Sequence, residues 1–186
     1  MKLRTSLQIA APLLLAAFQS PTVIRAGAPP GLPAQHFVCS TGYSLTECQA
    51  EIAVLRKTLA KYPAAELGEW TWVLVRSVDW KRFLMPHGID PDSPAVTYLP
   101  KRETFIEEAL VAEVPQRSWD LVVRWQMNTE DLLKLAVAHE LAHVLCNEPS
   151  EAKTNRAART LLDGKPLSCK GTLAAKTRTE DMSKRR

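Results

Sequence analysis

The chain has 186 residues, of which 46% are hydrophobic and 24% are charged, and this balance suits one globular domain with a substantial core. The formal net charge is +4, and many of the basic residues lie near the two ends of the sequence. No aromatic residue is interleaved with the basic ones near the C-terminus, which argues against base stacking. We therefore predict a solvated basic tail over residues 164–186 and no specific nucleic-acid partner.

Residues 1–28 have the pattern of a secretory signal peptide. Positive charge near the start precedes a short apolar run at 7–18, and residues 26–28 (A-G-A) offer a small-residue cleavage site, although cleavage nearer residue 18 also fits. The apolar run is too short to span a bilayer. We expect an exported protein, periplasmic or extracellular, with no stable membrane span after cleavage and an extended arm at 29–43.

The 4 cysteines have a different expected role in an exported protein than in a cytosolic one. In an oxidising compartment, an even number of cysteines predicts two disulfides, for which three connectivities exist. We expect neighbours to pair, as Cys39–Cys48 and Cys146–Cys169. Zinc ligation by these cysteines is the weaker alternative, because no two of them are spaced as C-x-x-C.

A capping-box pattern at residues 44–47 (S-L-T-E) opens a predicted helix over 44–61. Aromatic and β-branched residues predict strands in the segment that follows. The predicted elements there are, in order, a strand at 69–77, a short helix or turn at 79–84, and strands at 95–99 and 104–111.

The second half of the chain is predicted to be mainly helical. Residues 118–127 suit either a strand or a helix, and we favour a helix. A longer helix begins at Asn128 or Thr129, either of which can cap it, and runs to about Asn147. A further helix is predicted over 151–163.

The longer helix contains an H-E-x-x-H sequence, His139-Glu140-Leu141-Ala142-His143. Four residues of helix turn through about 400°, so the two histidines lie on one face and can hold the same Zn²⁺. Glu140 lies about 100° away, where a general base for a zinc-activated water is expected. The alternative is two core histidines and a surface glutamate, which the apolar residues around all three disfavour.

Two histidines leave a zinc ion in need of a third protein ligand, with water in the fourth position. The downstream candidates are Glu148, Glu151, Asp163 and Cys169. Asn155 lies four residues after Glu151, on the same helix face, and its amide can accept the free N–H of a zinc-bound histidine.

Residues 128–163 resemble the gluzincins, the H-E-x-x-H peptidases whose third ligand is a glutamate on a later helix. The pattern at 151–162 (E-x-x-x-N-x-x-A-x-x-L-L) is similar to a segment of the phage-immunity-type and radiation-response peptidases and of membrane-associated peptidases of the HtpX kind. The resemblance implies that Glu151 is the third ligand and that Asn155 orients a ligand from behind. Thr154 departs from the pattern, because the family has alanine there.

The sequence thus predicts an α+β fold, a minimal zincin-like domain over 44–163 whose small sheet packs on the active-site helix and the following ligand helix. The expected function is that of a monomeric zinc metallopeptidase that hydrolyses peptide or protein substrates with Glu140 as general base. One alternative is a catalytically inactive module that keeps the scaffold and binds zinc or a partner. Another is a disulfide-stapled binding protein that binds no metal. The oxyanion donor is left open among His87, Tyr98, Arg156 and Arg159.

Overall fold

The computed structural model describes residues 24–25 and 35–169. The predicted signal peptide, apart from 24–25, and residues 170–186 of the predicted basic tail lie outside this part. The described chain is a mixed α+β structure, as predicted. Its strands are β1 (Ile24–Arg25), β2 (Gln35–Cys39), β3 (Trp70–Val75), β4 (Ala95–Tyr98) and β5 (Glu103–Glu107), and its α-helices are α1 (Leu45–Leu59), α2 (Ser77–Leu84), α3 (Pro115–Trp125), α4 (Thr129–Cys146) and α5 (Glu151–Leu162).

The strands form one sheet in the order β1-β2-β3-β5-β4. Strands β2, β3 and β5 are parallel, whereas β4 runs antiparallel to β5 and β1 antiparallel to β2. The two edges of the described sheet are therefore the two-residue β1 and the four-residue β4. Helix α4 packs beside β4, which brings the helix that carries H-E-x-x-H to one edge of the sheet.

Helices cover the two faces of the sheet unequally. The main core joins inward-facing residues of β2, β3 and β5 to apolar residues of α1 and α4, among them Trp72, Leu55 and Val137. A smaller cluster on the other face joins Trp80 and Leu84 of α2 to the sheet. The alternation of buried and half-buried residues along β3 is what lets one strand serve both layers.

The local signals for helix ends are confirmed. Ser44 caps α1 by accepting a hydrogen bond from the Glu47 N–H, and the Glu47 carboxylate accepts one from the Ser44 N–H. Asn128 caps α4 by accepting a hydrogen bond from the Asp131 N–H at 2.8 Å. Both caps depend only on residues three apart, which is why the sequence reveals them.

Residues 77–84 and 115–125, parts of which were ambiguous, are both helical. Helix α3 starts three residues before the predicted 118, at Pro115, whose fixed φ suits the first turn. Strand β5 is shorter than the predicted 104–111, because residues 108–110 form a 3₁₀ turn after it.

Strand β2 was not predicted, because its inward residues include a glutamine. Gln35 is 1% exposed. Its amide accepts the Trp72 indole N–H at 2.7 Å and donates to the Gly68 carbonyl at 2.6 Å. These contacts satisfy a buried polar side chain, but the partners lie more than thirty positions away in the sequence, so a local pattern does not reveal them.

Both predicted disulfides are present. Cys39–Cys48 joins the end of β2 to α1, and Cys146–Cys169 joins the end of α4 to the segment that follows α5. Two disulfides in a chain of this size suggest an oxidising, exported environment. Among the residues that the structure describes, no helix has the length and apolar character needed to cross a bilayer.

A buried carboxylate lies between α1 and the carboxyl ends of the parallel strands. Glu51 is only 6% exposed. Burial raises the pKa of Glu51 from its ordinary 4.5 to about 7, and the charge of Glu108 adds to this effect, while Tyr43 and Arg76 oppose it. The folded chain therefore binds this proton more tightly than the unfolded chain does.

The contribution of Glu51 to the free energy of unfolding is expected to be largest below about pH 4.5 and to fall as the pH rises toward 7. Glu51→Gln removes this dependence, so the variant should gain stability relative to the wild type over that range, by about 1–3 kcal/mol. Denaturant titrations from pH 4 to 8 measure it. Glu47→Gln is the control of opposite sign, because hydrogen bonds from Ser44 lower the pKa of Glu47. Equal pH slopes for wild type and Glu51→Gln would contradict the assignment.

Removing the Cys146–Cys169 bridge, as Cys146→Ala with Cys169→Ala, should lower the free energy of unfolding by about 2–4 kcal/mol, since the bridge closes a loop in the unfolded chain. Urea titration of this double variant against the oxidised wild type checks the prediction. Mass mapping of the wild type provides the control, because it should find no free thiol among the 4 cysteines. A bridge between Cys39 and Cys169 would contradict the pairing.

Candidate metal site

Three side chains converge where α4 turns back into α5. The Nε2 atoms of His139 and His143 are 3.1 Å apart. Glu151 reaches both rings, with one carboxylate oxygen 3.2 Å from the His139 Nε2 and the other 3.4 Å from the His143 Nε2. Within the described residues, these three form the one group of histidine, cysteine or acidic side chains arranged to hold a metal ion.

The separations of these donor atoms fit a single metal ion. A tetrahedral ion with bonds of about 2.0–2.1 Å has neighbouring ligand atoms about 3.3–3.4 Å apart. The two Nε2 atoms are 3.1 Å apart, and the 3.2 and 3.4 Å contacts of Glu151 involve its two different oxygens. One donor atom from each residue, all within 4.8 Å of one another, could therefore approach a single ion. Two imidazoles and one carboxylate provide three positions and leave a fourth open.

The helix α4 carries the two histidines one turn apart, in a segment whose other residues are mostly buried and apolar. The helix ends at Cys146, and Asn147 adopts a left-handed conformation with φ of 47°. Its N–H bonds back to the last turn of α4, and so does the N–H of Glu148, which reaches the His143 carbonyl at 3.0 Å. This tight reversal places Glu151, the first residue of α5, against the histidines.

Charge is balanced within the cluster. The hydrogen bonds from His139 and then His143 hold the pKa of Glu151 far below its usual range, although burial opposes this. Burial by itself lowers the pKa of His143, but Glu151, Glu140 and the Glu148 carbonyl together raise it above its ordinary value. Before a metal binds, the ionised Glu151 therefore favours the protonated form of His143. A metal ion would replace that proton.

Glu140 directly follows His139 in the sequence, and its side chain lies in the protein interior. It is 5% exposed. Burial raises its pKa, while the positive charge on His139 and His143 and a hydrogen bond from Thr97 of β4 favour the ionised form. The net effect raises the pKa of Glu140 above its ordinary value, which is the direction expected for a general base.

A row of polar side chains leads across the sheet to Glu140. The Trp70 indole, which can only donate, bonds to the Thr104 hydroxyl at 3.0 Å. The hydroxyls of Thr104 and Thr97 are 2.8 Å apart, on paired positions of β5 and β4. The Thr104 hydroxyl accepts from Trp70 and can donate its own proton to the Thr97 oxygen, which leaves the Thr97 hydroxyl to donate to the Glu140 carboxylate. Inward-facing threonines on two strands were the available sequence signal for this contact, but the sequence does not reveal that β4 lies against α4.

The far nitrogen of His143 has partners that the sequence analysis missed. His143 Nδ1 lies 2.7 Å from the Glu148 carbonyl oxygen and 3.2 Å from the Thr154 hydroxyl. Within the described part of the chain, no hydrogen bond joins Asn155, which was expected in this role, to either histidine. Residues three and four after Glu151 both lie near its face of the helix, so spacing alone does not separate Thr154 from Asn155.

The other candidates for the third ligand lie elsewhere. The Glu148 carboxylate accepts a hydrogen bond from the Ser150 N–H and pairs with Lys153. Asp163 pairs with Lys165, and Cys169 is in a disulfide. The residues considered as oxyanion donors are all exposed, and none is hydrogen-bonded to the cluster within the described residues; they are His87, Tyr98, Arg156 and Arg159.

Comparisons with models of known protein families, with curated proteins and with solved structures found no match to this chain. The resemblance to gluzincins therefore rests on the residues themselves. The structure contains a histidine–histidine–glutamate group that could bind a metal ion.

Substitution of the three donors is expected to remove metal binding. His139→Ala and His143→Ala should each abolish tight binding, and Glu151→Ala should weaken it strongly, because two protein donors rarely retain the ion. Asp163→Ala is the matched control, since the Asp163 carboxylate pairs with Lys165 and not with the histidines. Competition with a chromogenic chelator measures each affinity for Zn²⁺. Loss of binding in Asp163→Ala with retention in Glu151→Ala would show that the wrong carboxylate had been chosen.

Proposed function

We propose that the protein is an exported zinc-dependent peptidase of the gluzincin type, built on a minimal zincin-like domain. The observation that carries the proposal is the convergence of His139, His143 and Glu151, with the buried Glu140 next to them in the sequence and on the same helix. A purely structural zinc site closes all four positions with protein ligands. A group with three donors and a neighbouring carboxylate favours catalysis instead.

Zinc is the metal that suits this donor set best. Two neutral imidazoles and one carboxylate are the ligands of several catalytic zinc sites. Mg²⁺ and Ca²⁺ prefer sites made of oxygen ligands alone. The nitrogen donors therefore argue for zinc over these two ions, and the open fourth position leaves room for water or substrate.

Zinc bound at this site would polarise a peptide carbonyl and lower the pKa of water there. Glu140 accepts a proton from the attacking water and transfers it to the nitrogen of the leaving amine. One water molecule is consumed, and the peptide bond is replaced by a carboxylic acid and an amine. A hydrogen bond from Thr97 favours the ionised form of Glu140, against the effect of burial.

The substrate we propose is an extended segment of peptide or protein. In the described chain, strand β4 is an edge strand of the sheet. It lies beside α4, which carries His139 and Glu140. A peptide in extended conformation can add to such an edge through main-chain hydrogen bonds. That pairing would lead its backbone past the metal site without requiring a particular side chain.

Glu140→Gln separates catalysis from metal binding. The amide keeps the shape of the side chain but cannot accept the proton, so zinc affinity should stay close to that of the wild type while hydrolysis falls by 10² or more. The assay uses the purified chain with a mixture of unstructured peptides, and mass spectrometry detects the products. His139→Ala is the companion variant and should lose both zinc and hydrolysis.

Two outcomes would overturn the peptidase assignment. Hydrolysis that is unchanged in Glu140→Gln belongs to another site or another protein. A wild-type chain that binds zinc but cleaves no peptide is an inactive module that uses the same scaffold to bind zinc or a partner.

A further inference from the structure

The tautomer of His143 follows from the contact at its Nδ1. A carbonyl oxygen only accepts hydrogen bonds, and the Glu148 carbonyl lies 2.7 Å from this nitrogen. Nδ1 must therefore carry a proton, because an unprotonated nitrogen at that distance would set two lone pairs against each other. In the neutral ring, Nε2 then has the free lone pair, and Nε2 is the atom that faces His139 and Glu151.

The same contact sets the direction of the Thr154 hydroxyl. The Thr154 oxygen is 3.2 Å from the His143 Nδ1, which is already protonated, so toward the ring it acts as an acceptor. Its own proton is directed to the Glu148 carbonyl, 3.3 Å away. The hydroxyl thus contacts both partners of the short hydrogen bond. Thr154 is completely buried, so water does not compete for these contacts.

The Glu148 carbonyl is itself held in place by the turn. The Glu148 N–H donates to the His143 carbonyl at 3.0 Å. The Glu148 carboxylate accepts the Ser150 N–H at 2.9 Å and pairs with Lys153 at 3.1 Å. The backbone and the side chain of this one residue are therefore anchored on both sides, and its carbonyl is left to face the imidazole.

We propose that Thr154 is a positioning residue for the metal: with the Glu148 carbonyl, its hydroxyl holds His143 in the orientation and tautomer that aim Nε2 at the ion. The inference rests on the proposed metal site and specifies what keeps that site ready to bind. Thr154, which departs from the gluzincin pattern, then has a specific role, because the alanine of that pattern has no hydroxyl to contact the His143 ring or the Glu148 carbonyl.

The test is a Zn²⁺ titration of the metal-free full chain in competition with a chromogenic chelator. Thr154→Val keeps the size of the side chain and removes the hydroxyl, and it should weaken zinc binding about tenfold or more. Thr154→Ser restores the hydroxyl and should restore most of the affinity. The control is Thr160→Val on the same helix, because the Thr160 hydroxyl bonds to the Arg156 carbonyl away from the histidines. That variant should bind zinc like the wild type.

A purely structural role gives a different result. If Thr154→Val lowers the free energy of unfolding of the metal-free chain but leaves the zinc affinity unchanged, the proposal is wrong. It is also wrong if Thr154→Ser binds zinc as weakly as Thr154→Val. Should Thr154→Val not fold, Thr154→Ala removes the same hydroxyl without placing a methyl group against the ring, and the same outcomes apply.

The proposed function and this inference can fail separately. A wild-type chain that binds zinc without cleaving peptides rejects the peptidase and leaves the role of Thr154 to be decided by the affinities above. Equal zinc affinity in the wild type and Thr154→Val rejects the inference and leaves the peptidase intact. A wild-type chain that binds no zinc rejects both.

Discussion

The reversal of the chain between α4 and α5 is the constraint on which the candidate site depends. It brings Glu151 to within 3.4 Å of both histidine Nε2 atoms, although only seven residues separate it from His143. Such a short connection works because Asn147 takes a left-handed conformation and the following N–H bonds to the last turn of α4. A longer, looser connection would have to pay the entropy of ordering the glutamate each time a metal bound.

The sheet provides the second half of the site. Glu140 lies on the side of α4 that faces the protein interior, where a carboxylate without partners would be costly. Strand β4 supplies Thr97, and Thr97 is in turn linked to Thr104 and Trp70 through hydroxyl and indole groups. The antiparallel edge strand therefore gives the buried carboxylate a hydrogen-bond partner.

The two disulfides and the buried polar groups near α1 also affect the stability of the folded chain. Cys39–Cys48 attaches α1 to the sheet, and Cys146–Cys169 ties the end of α4 to the segment after α5. Each bridge restricts the unfolded chain. Glu51 of α1 lies in a buried polar cluster with Tyr43, Arg76 and Glu108. Its raised pKa means that ionisation of Glu51 destabilises the folded state near neutral pH. The bridge next to that cluster holds α1 in place whichever form Glu51 takes.

The sequence by itself determined the features that depend on neighbouring residues. Helical spacing placed His139 and His143 on one face, and Ser44 and Asn128 signalled their helix starts. The cysteine count predicted two disulfides, but the structure decided among the three possible pairings. Only the tertiary structure decided which acidic residue meets the histidines, since several lay within reach and the angle between two helices chose Glu151. It also decided that Thr154 is hydrogen-bonded to His143, the role expected of Asn155, and that the strand at Gln35–Cys39 joins the sheet. Those outcomes depend on contacts between segments far apart in the chain, and local periodicity carries no record of the distances or angles between them.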